Sequence, residues 1–229
     1  MDREHLQIEN DLRSKSVIER KKAIDKLASI DSDIAVPILK RLSQEQDFGL
    51  RCMAMMGLNN HRTEESFSFL KEVLQEEQDY SVLAEAANSI YDFGERAIPL
   101  LQGLFDRCEY WIVRHTIVSV LAENDDPEVL LDIARKAIAG QEPTTQEVGI
   151  LALSRLLATP LKNEALKTFT ELAKDPSWRI RWRTAIALTA SEDPIAKDLL
   201  TQLQQDENYR VVAAALEKQN VEPRTDGQD

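Results

Sequence analysis

Val113-Arg114-His115-Thr116-Ile117-Val118-Ser119-Val120-Leu121 is one copy of a nine-residue pattern that recurs seven times along this chain. The pattern opens on a β-branched or aliphatic residue, often continues with Arg, usually has a small residue fifth, and closes on Leu. The other copies read Glu19-Arg20…Ala23…Leu27, Leu50-Arg51…Ala54…Leu58, Val82-Leu83…Ala86…Ile90, Val148-Gly149…Ala152…Leu156, Ile180-Arg181…Thr184…Leu188 and a degenerate Val211-Val212…Ala215…Gln219. Their first residues are 31, 32, 31, 35, 32 and 31 apart. A period of this length marks an array in which one supersecondary unit stacks on the next.

Apolar residues at positions one, five and nine repeat with a period near 3.6, so each copy is a helix with one buried stripe. A second apolar segment lies between successive copies. Ala35-Val36-Pro37-Ile38-Leu39 and Ala97-Ile98-Pro99-Leu100-Leu101 correspond across 62 residues, and Ser66-Phe67-Ser68-Phe69-Leu70 falls midway. Each repeat is therefore a helix A followed by a helix B. Pro37 and Pro99 are predicted in the first turn of their A helices, where a missing N–H costs little. A lone helical pair cannot bury its stripe, whereas stacked pairs can. The predicted fold is all-α: a right-handed α-α superhelix (α-solenoid) of about seven short repeats, with B helices on the concave side. Asp31-Ser32-Asp33, Asn59-Asn60, Asp125-Asp126-Pro127, Thr159-Pro160 and Asp193-Pro194 follow B helices as loops.

Residues 1–219 read as a single solenoid and 220–229, polar with Pro223 and Gly227, as a disordered tail. A first helix near residues 2–14 and the last B helix should act as caps. The fifth copy departs from the rest. It is preceded by Gly140-Gln141-Glu142-Pro143, Gly149 stands in the Arg place, and its spacing is 35. A longer loop there either changes the superhelix curvature or is a neutral surface insertion.

The composition narrows the class. Only seven Gly, six Phe, four Tyr and three Trp occur in 229 residues, and the abundant Ala, Leu, Glu, Lys and Gln favour helix. No apolar run is long enough to span a bilayer, and the charged start MDREHLQIEN does not read as a secretory signal. Cys52 and Cys108 form neither a disulfide framework nor a CxxC motif, so a reducing cytoplasm is the expected compartment. The formal net charge of -12 argues against nucleic acid, which needs a basic stripe.

Three sets of residues stand out. The second-position Arg20, Arg51, Arg114 and Arg181 suggest anion binding, but an Arg opening a stacked helix more often bonds an Asp or carbonyl nearby and sets the stacking angle. Two residues before the motif stand Phe48, Tyr80, Trp111, Trp178 and Tyr209, with Val17 in the first repeat and Gln146 breaking the series in the fifth. These rings either plug gaps between helix pairs or form a ladder that meets a partner. Positions three and seven should face the groove: Lys21, Cys52, Ala84, His115, Ile150, Trp182 and Ala213, then Asp25, Met56, Asn88, Ser119, Ser154, Ile186 and Glu217. A neutral, Met- and Trp-bearing groove in an acidic chain suits a protein partner. Trp178 and Trp182, one turn apart with Arg179, Arg181 and Arg183, would make an aromatic–cationic patch, unless the Trp rings simply pack against those Args.

Enzyme signatures are weak. His5, His61 and His115 fall in different repeats without ligand spacing, and no phosphate loop, GxSxG elbow or HExxH occurs. His115 and Ser119, one turn apart, could form a hydrogen-bonded pair. Nothing nearby clearly lowers the pKa of Cys52 or Cys108.

The V-R-x-x-A-x-x-A-L type of helix and the A-[VI]-P-x-L helix resemble HEAT-like repeats of the phycobilisome-lyase type over residues 15–218. The stretches Glu109-Tyr-Trp-Ile-Val-Arg-His-Thr-Ile-Val-Ser-Val-Leu121 and Asp175-Pro-Ser-Trp-Arg-Ile-Arg-Trp-Arg183 look most like the cyanobacterial phycobilisome-degradation (non-bleaching) family. The Gly usual after the closing Leu is replaced by Asn59, Tyr91, Ala122, Leu157 and Thr189. The resemblance implies a non-catalytic adaptor or chaperone that binds phycobiliproteins, in the cytoplasm or peripheral to the thylakoid membrane. Trp182, Trp178, Trp111, Tyr80, Phe48, Met56, His115, Asn88, Arg179 and Arg183 would be the partner-binding residues, with no resident cofactor and a bilin as at most a transient ligand. One alternative is a bilin lyase, or one subunit of a heterodimer with a related repeat protein, joining a tetrapyrrole to a phycobiliprotein cysteine. Another is an assembly scaffold for a different photosynthetic complex.

Overall fold

A computed structural model describes residues 3–217, which contain fourteen α-helices and no β-strand. The expected tail from Asn220 and the motif residue Gln219 lie outside the described residues. The helices form two compact units, within Met1–Leu121 and within Ala122–Asp229. The first unit holds four hairpins: α1 (Arg3–Leu12) with α2 (Val17–Leu27), α3 (Ser32–Leu42) with α4 (Phe48–Asn59), α5 (Glu64–Glu76) with α6 (Tyr80–Tyr91), and α7 (Ile98–Arg107) with α8 (Trp111–Leu121). The second holds three: α9 (Pro127–Ala139) with α10 (Pro143–Arg155), α11 (Lys162–Leu172) with α12 (Trp178–Leu188), and α13 (Pro194–Leu203) with α14 (Tyr209–Leu216). Thus the helix near the N-terminus is not only a cap but the A helix of the first repeat.

Six of the seven nine-residue motifs, all but the fifth, open two residues into a B helix. Side chains at the preceding residue hold several of these starts: Asp47 accepts from Gly49 N at 2.8 Å, Asp79 from Ser81 N at 2.9 Å and Asn208 from Arg210 N at 3.0 Å. Such caps satisfy N–H groups that have no partner inside the helix. Inside each unit B helices pack closely on B helices, α4 on α6, α6 on α8, α10 on α12 and α12 on α14, while A helices of adjacent hairpins touch far less. The B helices therefore line the tighter side of each unit.

The stripe is wider than positions one, five and nine. Leu50, Ala54, Met55, Gly57 and Leu58 of α4 are buried, as are Val113, Ile117, Val118, Val120 and Leu121 of α8. Positions six and eight join because a helix packed on both its hairpin partner and a neighbouring B helix buries a face wider than a single stripe.

In the fifth repeat the buried set is Thr145, Gly149, Ile150, Ala152 and Leu153, which matches the α4 and α8 sets only if the repeat begins at Thr145. The sequence reading placed it at Val148. The extra residues accordingly follow α10, as a 3-10 turn at Leu156–Ala158 and the loop to Lys162. Gly149 is thus the small fifth residue, where a Cβ would come within 2.7 Å of Ala137 Cβ and 3.1 Å of the Ala134 carbonyl oxygen. Ile150, expected in the groove, is fully buried for the same reason.

Pro99 lies in the first turn of α7 as expected, preceded by a 3-10 turn at Gly94–Ala97 with Gly94 at φ 75°. Pro37, however, stands inside α3, in its second turn. There Ile34 and Ala35 already donate to the Asp31 carbonyl, so the helix starts early and the proline removes one internal N–H···O bond.

The second-position Arg is structural. Arg51 Nη1 donates to the carbonyls of Glu45 and Gln46 at 3.1 and 3.0 Å, Arg114 Nε to Cys108 at 2.8 Å, and Arg181 Nη1 to Asp175 at 2.8 Å. Each thereby ties its helix to the turn six residues upstream, as Arg20 does through Ser14. Arg20, Arg51 and Arg181 also reach carboxylates of the next repeat: Asp47, Glu77 with Asp79, and Asp206 with Glu207. In the fifth repeat Gln146, not Gly149, takes this place, its Nε2 donating to Gly140 O at 2.8 Å and Ile138 O at 3.2 Å.

Candidate partner-binding surface

The residue that opens each B helix leaves its hairpin at one rim. In the first unit these are Val17, Phe48, Tyr80 and Trp111, and all are exposed, Phe48 by 55 % and Trp111 by 43 %. They do not fill gaps between repeats. Tyr80 instead lies flat on Tyr110 of the next repeat, ring centres 4.0 Å apart and planes 11° apart. Behind this stack Leu74, Leu83, Leu104 and Cys108 floor a groove of about 390 Å³. Tyr110 was missed by the periodic reading because it stands one residue ahead of Trp111, off the repeat.

Positions three, four and seven of the B helices form the accessible inner wall. Met56 and Asn88 are exposed, and Cys52 and His115 are half-buried. Ala84, though at position three, is buried beneath its neighbours. No hydrogen bond joins His115 to Ser119 among the described residues. His61 is not on this wall: it is buried, Nε2 on the Leu27 carbonyl at 3.0 Å and Nδ1 on Ser32 Oγ at 3.1 Å, locking adjacent repeats together.

Around Cys52 the wall disfavours negative charge. Burial pushes its thiol up to about 11, helped by the nearby Glu85 and Asp79 carboxylates. Burial also raises the Glu85 carboxyl above its ordinary value, against a hydrogen bond from Asn88. Thiolate and carboxylate charges are thus both disfavoured at this point of the wall.

In the second unit the accessible inner wall of the fifth repeat is Glu147 and Leu151 rather than Ile150 and Ser154, because of the shifted frame. Trp178, Trp182 and Arg183 are half-buried, and Arg179 is exposed. Arg183 lies 4.7 Å from the Trp182 ring centre and is ion-paired to Glu147 of the preceding repeat. Arg181 is inside, bidentate on Asp206 at 2.7 and 3.0 Å. Of the three arginines of α12 around these two Trp residues, Arg179 therefore faces solvent without a carboxylate among the described residues, whereas Arg181 and Arg183 are paired. Across the rim stands a cation that sequence reasoning passed over, Arg210, 5.2 Å from the Trp178 ring centre. A periodic signal could have found it, since Tyr209-Arg210 repeats Trp178-Arg179 one period on.

Stacked α-hairpins whose second helices open on a capped, Arg-braced turn define an α-solenoid repeat protein. The HEAT repeats family matches residues 9–91, 50–122 and 127–218, so the chain belongs to the HEAT-repeat family. Among solved structures, an engineered protein is similar at 16 % identity and a TM-score of 0.50, over 92 % of this chain and 66 % of that one. Human deoxyhypusine hydroxylase in complex with glycerol is similar at 14 % identity and a TM-score of 0.44, over 93 % of each chain. The complex of CpcE and CpcF of phycocyanin lyase from a Nostoc species is similar at 14 % identity and a TM-score of 0.49, over 92 % of this chain and 91 % of that one. No curated protein matches the chain. No helix among the described residues is long and apolar enough to cross a membrane.

Proposed function

We propose that this HEAT-repeat protein is a non-catalytic adaptor that holds a phycobiliprotein against the B-helix side of its first unit. The observation that carries the reading is the exposed rim of Phe48, Tyr80, Tyr110 and Trp111 beside an accessible, neutral wall of Met56, Asn88 and His115. Exposed aromatic rings gathered on one side are costly in water and are what association surfaces use. The sequence resemblance of Glu109–Leu121 and Asp175–Arg183 to phycobilisome-degradation proteins supports this kind of partner, and with it a working place in the cytoplasm or beside the thylakoid membrane. The raised Cys52 thiol supports the choice of binding over thiol chemistry on this wall.

Sedimentation of the purified chain with phycobiliproteins tests the reading. A co-sedimenting complex that weakens at least tenfold in Phe48→Ala/Trp111→Ala, with helical content unchanged, is expected. No complex would sink it. Incubation with phycocyanobilin and an apo-phycobiliprotein separates the lyase alternative: covalent chromophore on the partner would replace the adaptor reading with catalysis.

A further inference from the structure

The rim of the second unit differs chemically from that of the first. Trp178 opens α12 and Tyr209 opens α14, and each is followed by an arginine. The Arg179 guanidinium lies 5.7 Å from the Trp178 ring centre, and the Arg210 guanidinium lies 5.2 Å from the same ring. Arg210 is also 5.7 Å from the Tyr209 ring centre, and its Nε donates to Tyr209 Oη at 3.2 Å. Trp178 is thus flanked by two guanidiniums from successive repeats. Arg179, Tyr209 and Arg210 are exposed, Tyr209 by 74 %.

Neither Arg179 nor Arg210 has an ion-pair partner among the described residues. Their neighbours do: Arg181 holds Asp206 and Glu207, and Arg183 holds Glu147. The nearby Asp175 carboxylate caps its own turn, accepting from Ser177 N at 2.7 Å. In a chain with 40 Asp and Glu against 28 Lys and Arg, two guanidiniums left without a carboxylate on one exposed aromatic cluster are conspicuous. Guanidinium forks match carboxylates in bidentate geometry, and a fork already laid on a ring loses little freedom on binding.

We infer that Trp178, Arg179, Tyr209 and Arg210 form a docking patch for an acidic peptide segment of a partner protein, whose carboxylates meet the two guanidiniums and whose chain lies over the rings. The patch deepens the adaptor reading above and rests on it for the identity of the partner, though not for the chemistry of the segment. A nucleic-acid strand is disfavoured because the net charge of -12 repels a phosphate backbone. A lone small anion would leave the rings unused.

The test is a titration of the full chain with hexaglutamate at low salt, following the Trp178 indole N–H by NMR. A saturable shift of that resonance is expected. Arg179→Gln/Arg210→Gln should weaken it at least tenfold at an unchanged melting temperature, and hexalysine should leave it in place. No shift with hexaglutamate, equal binding by the double variant, or the same shift with inorganic phosphate at matched concentration would each overturn the proposal. The same double variant is then sedimented with phycobiliproteins. If hexaglutamate binds but no phycobiliprotein does, the adaptor reading fails and the patch stands. If the phycobiliprotein complex forms equally well with the double variant, the patch is not where it docks and this inference fails alone.

Discussion

Glycine at 149 and glycine at 57 look alike in the sequence and differ in what surrounds them. A Cβ at residue 149 would meet Ala137 Cβ at 2.7 Å and the Ala134 backbone at 3.1 Å, neither of which can swing away. At residue 57 the close atoms all belong to the far end of the Leu39 side chain, which yields more readily than backbone or a Cβ. Gly149→Ala is therefore expected to cost about 1–3 kcal/mol in chemical denaturation, and Gly57→Ala distinctly less. Equal losses would show that α9 and α10 are not packed as described. Arg181 and Asp206 are the other telling pair, both nearly buried. Hydrogen bonding from Arg181 holds the Asp206 carboxyl below its ordinary range, assisted by the Asn208 N–H and opposed by burial. A depressed folded value means that the unfolded chain takes up the proton first. The stabilisation is then whole above the ordinary carboxylate range, near pH 4, and drains away as pH falls below it. Asp206→Asn should flatten that acid limb of the stability–pH curve, and an unchanged slope would remove the pair from the account. Cys52, pushed up to about 11, should react with iodoacetamide at pH 8 roughly a hundredfold more slowly than an ordinary thiol. A rate like that of glutathione would mean the wall is more open than it looks.

At the scale of the helix, the B elements do two jobs with different faces. Leu121 closes α8 and is fully buried, so Leu121→Ala should cost roughly 2–5 kcal/mol by leaving a cavity. Trp111, at the other end of the same helix and exposed, should be removable with little loss of stability and a clear loss of partner binding. Thermal melts of the two variants side by side decide this: matching losses would mean that core and rim have been assigned to the wrong faces. Much of this division is legible in the sequence, because position along a 3.6-residue period states which face a side chain takes. The second-position Arg is legible in kind, as a bond to an Asp or carbonyl, but not in its exact partner. Arg51, Arg114 and Arg181 bend back to carbonyls six residues upstream within their own repeat, a bond that exists only once the preceding turn has closed.

Over the whole chain, the excess of acid makes the sites of uncompensated positive charge matter more than the total. Partner binding through the rings of the first unit should depend little on salt. Binding of an acidic segment at Arg179 and Arg210 should weaken several-fold between 50 and 300 mM salt, on the order of a Debye-length effect. Salt-independent hexaglutamate binding would contradict the charge pairing. The family match over residues 9–122 and 127–218 agrees with the repeat spacing, which a reader of the sequence can measure without any structure. The partner cannot be measured that way, since an inner wall is free of the packing rules that make the core readable.

The amino-acid order determined the helical hairpins, their number and the frame of six repeats out of seven, because burial of one stripe per helix imprints a local period on the chain. Tertiary structure alone decided the frame of the fifth repeat. Sliding a helix by three residues is close to one turn, so the apolar stripe beginning at Thr145 and the one beginning at Val148 look almost the same in sequence. Only the close approach of α9 to Gly149 and the reach of Gln146 to the Gly140 carbonyl tell them apart. Likewise only folding showed which arginines are spent inside the stack and that Arg179 and Arg210 stay at its surface beside Trp178 without a carboxylate, for ion pairing depends on distances between repeats that no local pattern records.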